Sequence, residues 1–169
     1  MAKEFFKEKN ITYTEHDVGA DLEQRKIMVE KSSIRILALD DDPFMLKLLA
    51  RILAKLGFTS VTFCDSGRAA LDRMDGADGT PDIILLDLNM PEMDGVEFVR
   101  YLVERQYIGS LILISGEDER MLQTVEKLVQ AHKISALGHL HKPVKPEDLS
   151  TLLEKWAPPS IGSPRTAKK

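Results

Sequence analysis

The chain carries, at residues 83–95, the sequence IILLDLNMPEMDG. Four consecutive apolar residues are typical of a strand that is buried on both faces, as the central strands of a parallel sheet are. The Pro and Gly that follow favour a loop, and Asp94 stands where a helix would begin. The segment therefore predicts a buried strand that is followed directly by the carboxylate of Asp87.

The same alternation extends outward from this segment in both directions. From Ser33 onward, short apolar runs alternate with longer segments of helical period, five times in all. Such alternation places helices on both faces of a parallel sheet, so we predict an α/β fold with a doubly wound, five-stranded parallel sheet. The predicted strands are residues 34–39, 59–63, 82–86, 110–114 and 136–140. The predicted helices are a first one that ends at Gly57, then 66–74, 94–104, 118–131 and 146–156.

Polar side chains follow four of the predicted strands. Three aspartates, 40 to 42, follow the first strand, and the other three strand ends carry Asp87, Ser115 and the sequence His141-Lys142-Pro143. Ligand sites of open parallel sheets form at the carboxyl ends of the strands, so these groups should converge. Clustered carboxylates repel one another and need a cation, and an all-oxygen set suits Mg²⁺ or Mn²⁺. The sequence therefore predicts a divalent metal site.

Simpler readings of the same residues exist. The three aspartates could only cap the following helix, because Asp42-Pro43 is a good helix start. Lys142 could be a solvated surface residue, and Ser115 could form a turn with Gly116. The convergence of all these residues on one edge of the sheet argues against these readings taken together.

The chain resembles the receiver domain of bacterial two-component response regulators over residues 33–156. The residues that carry the resemblance are Leu39-Asp40-Asp41-Asp42-Pro43, the segment 86–95, Ile114-Ser115-Gly116 and Lys142-Pro143. The resemblance implies a flavodoxin-like receiver fold with strand order 2-1-3-4-5, and we place the domain at residues 33–157. Asp87 would take a phosphoryl group from a phosphohistidine on a histidine kinase or a phosphotransfer protein.

The resemblance also implies roles for the other residues of the site. Asp40 and Asp41 would hold Mg²⁺ together with Asp87 and the backbone carbonyl of Asn89. Lys142 would reach the site from a cis peptide bond with Pro143. The hydroxyl of Ser115 would turn toward the phosphoryl group. The residue three positions before the lysine would move with it, and here that residue is His139, where the family has Tyr or Phe.

Composition and charge exclude other classes. The 169 residues include 27 acidic and 23 basic side chains, for a net charge of -4, so nothing suggests nucleic-acid binding. A single cysteine, Cys64, excludes an internal disulfide and a four-cysteine zinc site. No apolar run approaches the roughly 20 residues of a membrane span. We therefore expect a cytoplasmic protein without membrane contact, and the resemblance implies that it is bacterial.

Residues 1–32 and 158–169 stand apart from the predicted domain. The first segment predicts a helix, a strand and a helix, and it resembles the part of a glutaredoxin that follows the redox motif. The Cys-x-x-Cys motif itself is missing, so no thiol chemistry is implied. Because so short a segment cannot bury its own core, we expect it to pair with its copy in a second chain as a homodimer. The alternatives are that it docks on the surface of its own receiver domain or that it frays. The proline-containing tail is predicted to be a flexible linker.

Three alternatives compete with a signalling phosphoacceptor, which would not be an enzyme acting on a separate substrate. A pseudo-receiver would bind partners without phosphorylation, but every charged position of the site is filled. A haloacid-dehalogenase-like phosphatase needs an aspartate two residues after the nucleophile, where this chain has Asn89. A redox or flavin-binding domain would need a dithiol or a glycine-rich phosphate loop, and the sequence contains neither.

Overall fold

A computed structural model of the chain describes residues 31–77, 79–116 and 119–157. The predicted extension up to residue 30 and the predicted tail over residues 158–169 lie outside the described residues. The predicted limits of the domain at residues 33 and 157 therefore stay predictions.

Five parallel strands form one sheet in the order β2-β1-β3-β4-β5. The predicted α/β class and strand order are confirmed. The strands are β1 (Arg35–Leu39), β2 (Ser60–Cys64), β3 (Ile83–Asp87), β4 (Ser110–Ser115) and β5 (Ser135–His141). The helices between and after them are α1 (Pro43–Leu56), α2 (Gly67–Asp75), α3 (Gly95–Glu104), α4 (Glu119–Ala131) and α5 (Pro146–Leu153).

The helices cover both faces of the sheet, as the doubly wound prediction requires. One apolar core lies between the sheet and the buried faces of α2, α3 and α4. The other lies between the sheet and the buried faces of α1 and α5. The interior strands β3 and β4 are buried along their whole length, because both of their faces meet a helical layer.

Helix α1 starts and stops where its sequence indicates. The side chain of Asp42 accepts a hydrogen bond from the backbone N–H of Phe44, and Pro43 occupies the first turn. Gly57 ends the helix at φ 100°, a left-handed conformation that glycine adopts without steric cost. The prediction for α5 was wrong at its end. The helix stops at Leu153 rather than residue 156. The backbone N–H groups of Lys155 and Trp156 donate to carbonyls only three residues back, which is the pattern of a tighter turn.

The pairing of β4 with β5 changes register once. Leu111 lies opposite Ala136, whereas Ile112 lies opposite Gly138, so β5 contains one extra residue at this point. Gly138 has φ 153°, and a Cβ built there would lie 2.6 Å from Cδ2 of Leu152. The backbone conformation therefore favours glycine, and a larger residue would also force the Leu152 side chain of α5 to shift. Beyond this point the partners shift by one, and Ser115 lies opposite His141.

The segment 31–33 contacts the domain. The ammonium of Lys31 donates a hydrogen bond to the carbonyl of Leu56 at 2.9 Å, and the hydroxyl of Ser60 donates to the carbonyl of Ser32 at 2.8 Å. Among the residues that the structure describes, no helix has the length and hydrophobicity that crossing a membrane requires.

Candidate functional site

The candidate site lies at the carboxyl edge of the sheet, where β1 and β3 are neighbours. The chain leaves β1 toward one face and β3 toward the other, which opens a crevice between the strand ends. Asp40 follows β1, Asp87 ends β3, and Lys142 follows β5. Residues that are far apart in the sequence are thus brought together by parallel strands that end at the same edge.

Three carboxylates form the centre of this site. Asp40 and Asp87 are both 0% exposed, while Asp41 is exposed at the rim. One oxygen from each of the three carboxylates lies within 4.8 Å of the others. Two buried carboxylates this close need compensating positive charge, because neither is solvated by water.

Lys142 supplies part of that positive charge. Its Nζ lies 3.2 Å from Oδ2 of Asp40 and 3.4 Å from Oδ1 of Asp87. Its backbone N–H donates to the carbonyl of Ser115, and the Lys142–Pro143 peptide bond is cis. Burial disfavours the ammonium, but Asp87 and Asp40 attract it more strongly, so the pKa of Lys142 lies above its usual value.

The two oxygens of Asp87 have different surroundings. Oδ1 accepts a hydrogen bond from the backbone N–H of Asn89 at 3.2 Å, and it is the oxygen nearer to Lys142. Oδ2 is buried and, within the described part of the chain, accepts no hydrogen bond. Burial and the negative charge of Asp40 raise the pKa of Asp87 to about 6. The lysine therefore compensates the buried negative charge only in part.

The donor set fits a hard divalent cation. Oδ2 of Asp87 is buried without a hydrogen bond from any described residue, and the buried Oδ2 of Asp40 lies 3.2 Å from the ammonium of Lys142. Carboxylate oxygens that lack a donor are suitable ligands for Mg²⁺. Asn89 is fixed beside them, because its side-chain oxygen accepts from the backbone N–H of Gly116 at 3.2 Å. The predicted use of its backbone carbonyl as a metal ligand stays a prediction.

The aspartates that follow β1 divide their tasks. Asp42 caps α1, and its own backbone N–H donates to Oδ1 of Asp40 at 2.9 Å. Capping therefore accounts for Asp42 but not for the burial of Asp40 or for the position of Asp41 beside the other two carboxylates.

Ser115 and His139, the predicted switch pair, have separate partners. Ser115 is 1% exposed, and its Oγ lies 3.3 Å from Nδ1 of His141. Nδ1 of His139 lies 3.2 Å from a carboxylate oxygen of Glu126 on α4. No role was predicted for His141, although it directly precedes Lys142 in the sequence.

Cys64 lies outside this chemistry. It is a free, buried thiol, and burial raises its pKa above the usual value. The reactive thiolate is thereby disfavoured.

Comparison with known proteins places this geometry in a family. The family described as the response regulator receiver domain matches residues 36–154. The positive alginate biosynthesis regulatory protein of Pseudomonas aeruginosa is 34% identical over 129 residues, which are 75% of this chain and 48% of that protein. The signal transduction histidine-protein kinase BarA of Escherichia coli is 32% identical over 131 residues, which are 77% of this chain and 14% of that protein.

A solved structure agrees with these matches. The crystal structure of a response regulator from Colwellia psychrerythraea has a TM-score of 0.61 at 35% sequence identity, over 72% of this chain and 94% of that one. The matched segment makes up about half of the alginate regulator and a small part of the kinase, so the rest of each relative lies outside the match.

Proposed function

The chain belongs to the response regulator receiver domain family, and we propose that it accepts a phosphoryl group on Asp87 from a phosphohistidine of a partner protein. The family is a signalling domain rather than a class of enzymes. The observation that carries the proposal is the buried carboxylate of Asp87, whose Oδ2 is bound by no described residue and whose Oδ1 lies 3.4 Å from the ammonium of Lys142.

The environment of Asp87 suits an oxygen nucleophile. In the transfer, a P–O bond forms to the Asp87 carboxylate while the P–N bond of the phosphohistidine breaks, and the imidazole nitrogen keeps the electron pair of that bond. Phosphoryl transfer passes through a loose, in-line transition state, so the protein contributes mainly position and charge. The N–H of Asn89 orients the Asp87 carboxylate by binding Oδ1, while Oδ2 accepts no hydrogen bond from a described residue.

Two sources of positive charge would stabilise the transferred group. Lys142 would bind an oxygen of the phosphoryl group, because its Nζ already lies 3.4 Å from the Asp87 carboxylate. Mg²⁺, when bound, would neutralise carboxylate and phosphoryl charge together. Asp40, Asp41 and Asp87, with the backbone carbonyl of Asn89, are the residues that would hold it.

The output of the domain would be a change of surface. Ser115 stands at the end of β4 beside Lys142, where its hydroxyl could bond a phosphoryl oxygen. His139 would follow that movement from its half-exposed position on β5. The phosphoryl donor is proposed to be a histidine kinase or a phosphotransfer protein, and the proposed location is the bacterial cytoplasm.

The experiment that tests this function is phosphorylation by acetyl phosphate in the presence of Mg²⁺, followed by intact-mass measurement. The parent protein is expected to gain one phosphoryl group, and Asp87→Asn is expected to gain none. Asp82→Asn is the matched control, because Asp82 precedes the same strand at its opposite end and binds the backbone N–H of Arg35. Equal labelling of Asp87→Asn and the parent would overturn the proposal.

A further inference from the structure

Two histidines of β5 face two glutamates of α4. Nε2 of His141 lies 3.8 Å from a carboxylate oxygen of Glu119, and Nδ1 of His139 lies 3.2 Å from a carboxylate oxygen of Glu126. The two imidazole rings meet edge to face with centroids 5.3 Å apart. Side chains two apart on a strand share a face, and side chains seven apart on a helix share a face, so the four residues form one strip between the elements.

His141 also reaches into the candidate site. Its Nδ1 lies 3.3 Å from Oγ of Ser115, so one imidazole joins the end of β4 to the first turn of α4. Ser115 is almost completely buried, and no hydrogen bond from its Oγ to any other described residue is found. A serine hydroxyl has one hydrogen to donate. The Glu119 carboxylate beside Nε2 favours the tautomer with its hydrogen at Nε2, which leaves Nδ1 to accept from Ser115. The single hydroxyl hydrogen of Ser115 then cannot be donated to Nδ1 and to a phosphoryl oxygen at the same time.

We propose that His141 is a positioning residue for Ser115, holding its hydroxyl at the β5 side of the site until a phosphoryl group on Asp87 competes for it. The inference rests on the proposed function and deepens it. Transfer of the Ser115 hydrogen bond to the phosphoryl group would release Nδ1 of His141. The imidazole would then be free to turn, which would change its contact with Glu119. The strip of His139, His141, Glu119 and Glu126 would thereby connect phosphorylation to the surface of α4.

The inference has a measurable consequence. A protein that must break the Ser115–His141 bond binds a phosphoryl mimic more weakly than a protein without that bond. One neutral hydrogen bond corresponds to roughly a three- to tenfold change in affinity. We therefore expect His141→Leu to bind beryllofluoride about three- to tenfold more tightly than the parent in the presence of Mg²⁺.

Three further variants separate this role from a purely structural one. His141→Asn keeps a hydrogen-bonding atom near the position of Nδ1 and should restore the affinity of the parent. His141→Gln removes that atom but keeps a polar side chain, so its affinity for beryllofluoride should match that of His141→Leu. Agreement between these two variants would show that the gain in affinity is not caused by a folding defect of the apolar variant. His132→Leu is the matched control, because His132 is an exposed histidine in the turn after α4, and its affinity should equal that of the parent.

The decisive comparison is a double-mutant cycle with Ser115→Ala. Without the serine hydroxyl there is no bond to break, so His141→Leu should no longer change the affinity for beryllofluoride, measured by calorimetry. Provided that the parent binds beryllofluoride, two results would overturn the inference. One is that His141→Leu has the affinity of the parent, and the other is that His141→Leu raises the affinity by the same factor with and without Ser115→Ala. A parent protein that does not bind beryllofluoride would instead contradict the proposed function itself.

Discussion

At the scale of the residue, Asp87 carries an unfavourable negative charge that its proposed role as phosphoacceptor requires. The strand buries it, Asp40 repels it, and Lys142 offsets only part of the cost. The neighbours that produce this environment were predictable from the sequence, because parallel strands of known order end at the same edge. The contact between Ser115 and His141 was not predictable in this way.

The raised pKa of Asp87 predicts a pH-dependent stability of the metal-free protein. The folded-state pKa of about 6 lies above the unfolded value of about 3.9, so the folded protein binds more protons between these limits. Stability therefore falls as pH rises through this window. The variant Asp87→Asn has no such proton to lose, so at about pH 7 it should be more stable than the parent by about 1 to 3 kcal/mol.

Urea unfolding in the presence of a chelator measures this difference. It should shrink as pH falls and vanish toward about pH 3, below both pKa values, where Asp87 is protonated in both states. Added Mg²⁺ should reduce it at about pH 7, because the cation stabilises the ionised carboxylate. A parent protein that is more stable than the variant at about pH 7 without metal would contradict the account of the charge.

At the scale of the element, the register of β5 explains why the contact between Ser115 and His141 could not be predicted from the sequence. Helical and apolar periods predicted the existence of every strand and helix from β1 to α5, with ends that differ by a few residues. The extra residue before Gly138 cannot be read from those periods, because it depends on how two strands pair. Without this extra residue, Ser115 would lie opposite Leu140 instead of His141. A shift of one residue along a strand moves each side chain to the opposite face of the sheet.

The junction of β1 and α1 allows metal binding and helix capping to be tested separately. Asp41→Ala removes an exposed carboxylate that lies beside Asp40 and Asp87, and it should weaken Mg²⁺ binding by about tenfold or more. Asp42→Ala removes the cap of α1, and it should lower the free energy of unfolding by about 0.5 to 2 kcal/mol while Mg²⁺ affinity stays near that of the parent.

Calorimetric Mg²⁺ titration and urea unfolding of both variants provide the comparison, and Asp40→Ala should weaken Mg²⁺ binding as well. Unchanged affinity in both Asp40→Ala and Asp41→Ala would mean that these aspartates serve the helix and not a cation.

At the scale of the whole molecule, the described site is contained within one domain. Every residue of the site lies between Asp40 and Lys142, and the segment 31–33 already contacts α1 and β2. A protein that lacks residues 1–30 is therefore expected to accept a phosphoryl group at Asp87 as the parent does. The same deletion is expected to lower the solution mass, because we assign self-association to this segment.

Light scattering and acetyl phosphate labelling of the deletion variant check the two expectations separately. An unchanged solution mass would reject the role in association. Loss of labelling would show that the receiver domain needs residues 1–30 in order to fold or to react.

The measurement that bears most directly on the phosphoacceptor role of Asp87 is the chemical identity of the phosphorylated residue. An acyl phosphate on a carboxylate is cleaved by neutral hydroxylamine, whereas a phosphate ester on a hydroxyl such as that of Ser115 is not. After reaction with acetyl phosphate and Mg²⁺, we predict one added phosphoryl group that hydroxylamine removes and that Asp87→Asn does not acquire. A phosphoryl group that survives hydroxylamine, or one that persists in Asp87→Asn, would contradict the assignment of Asp87 as the phosphoacceptor.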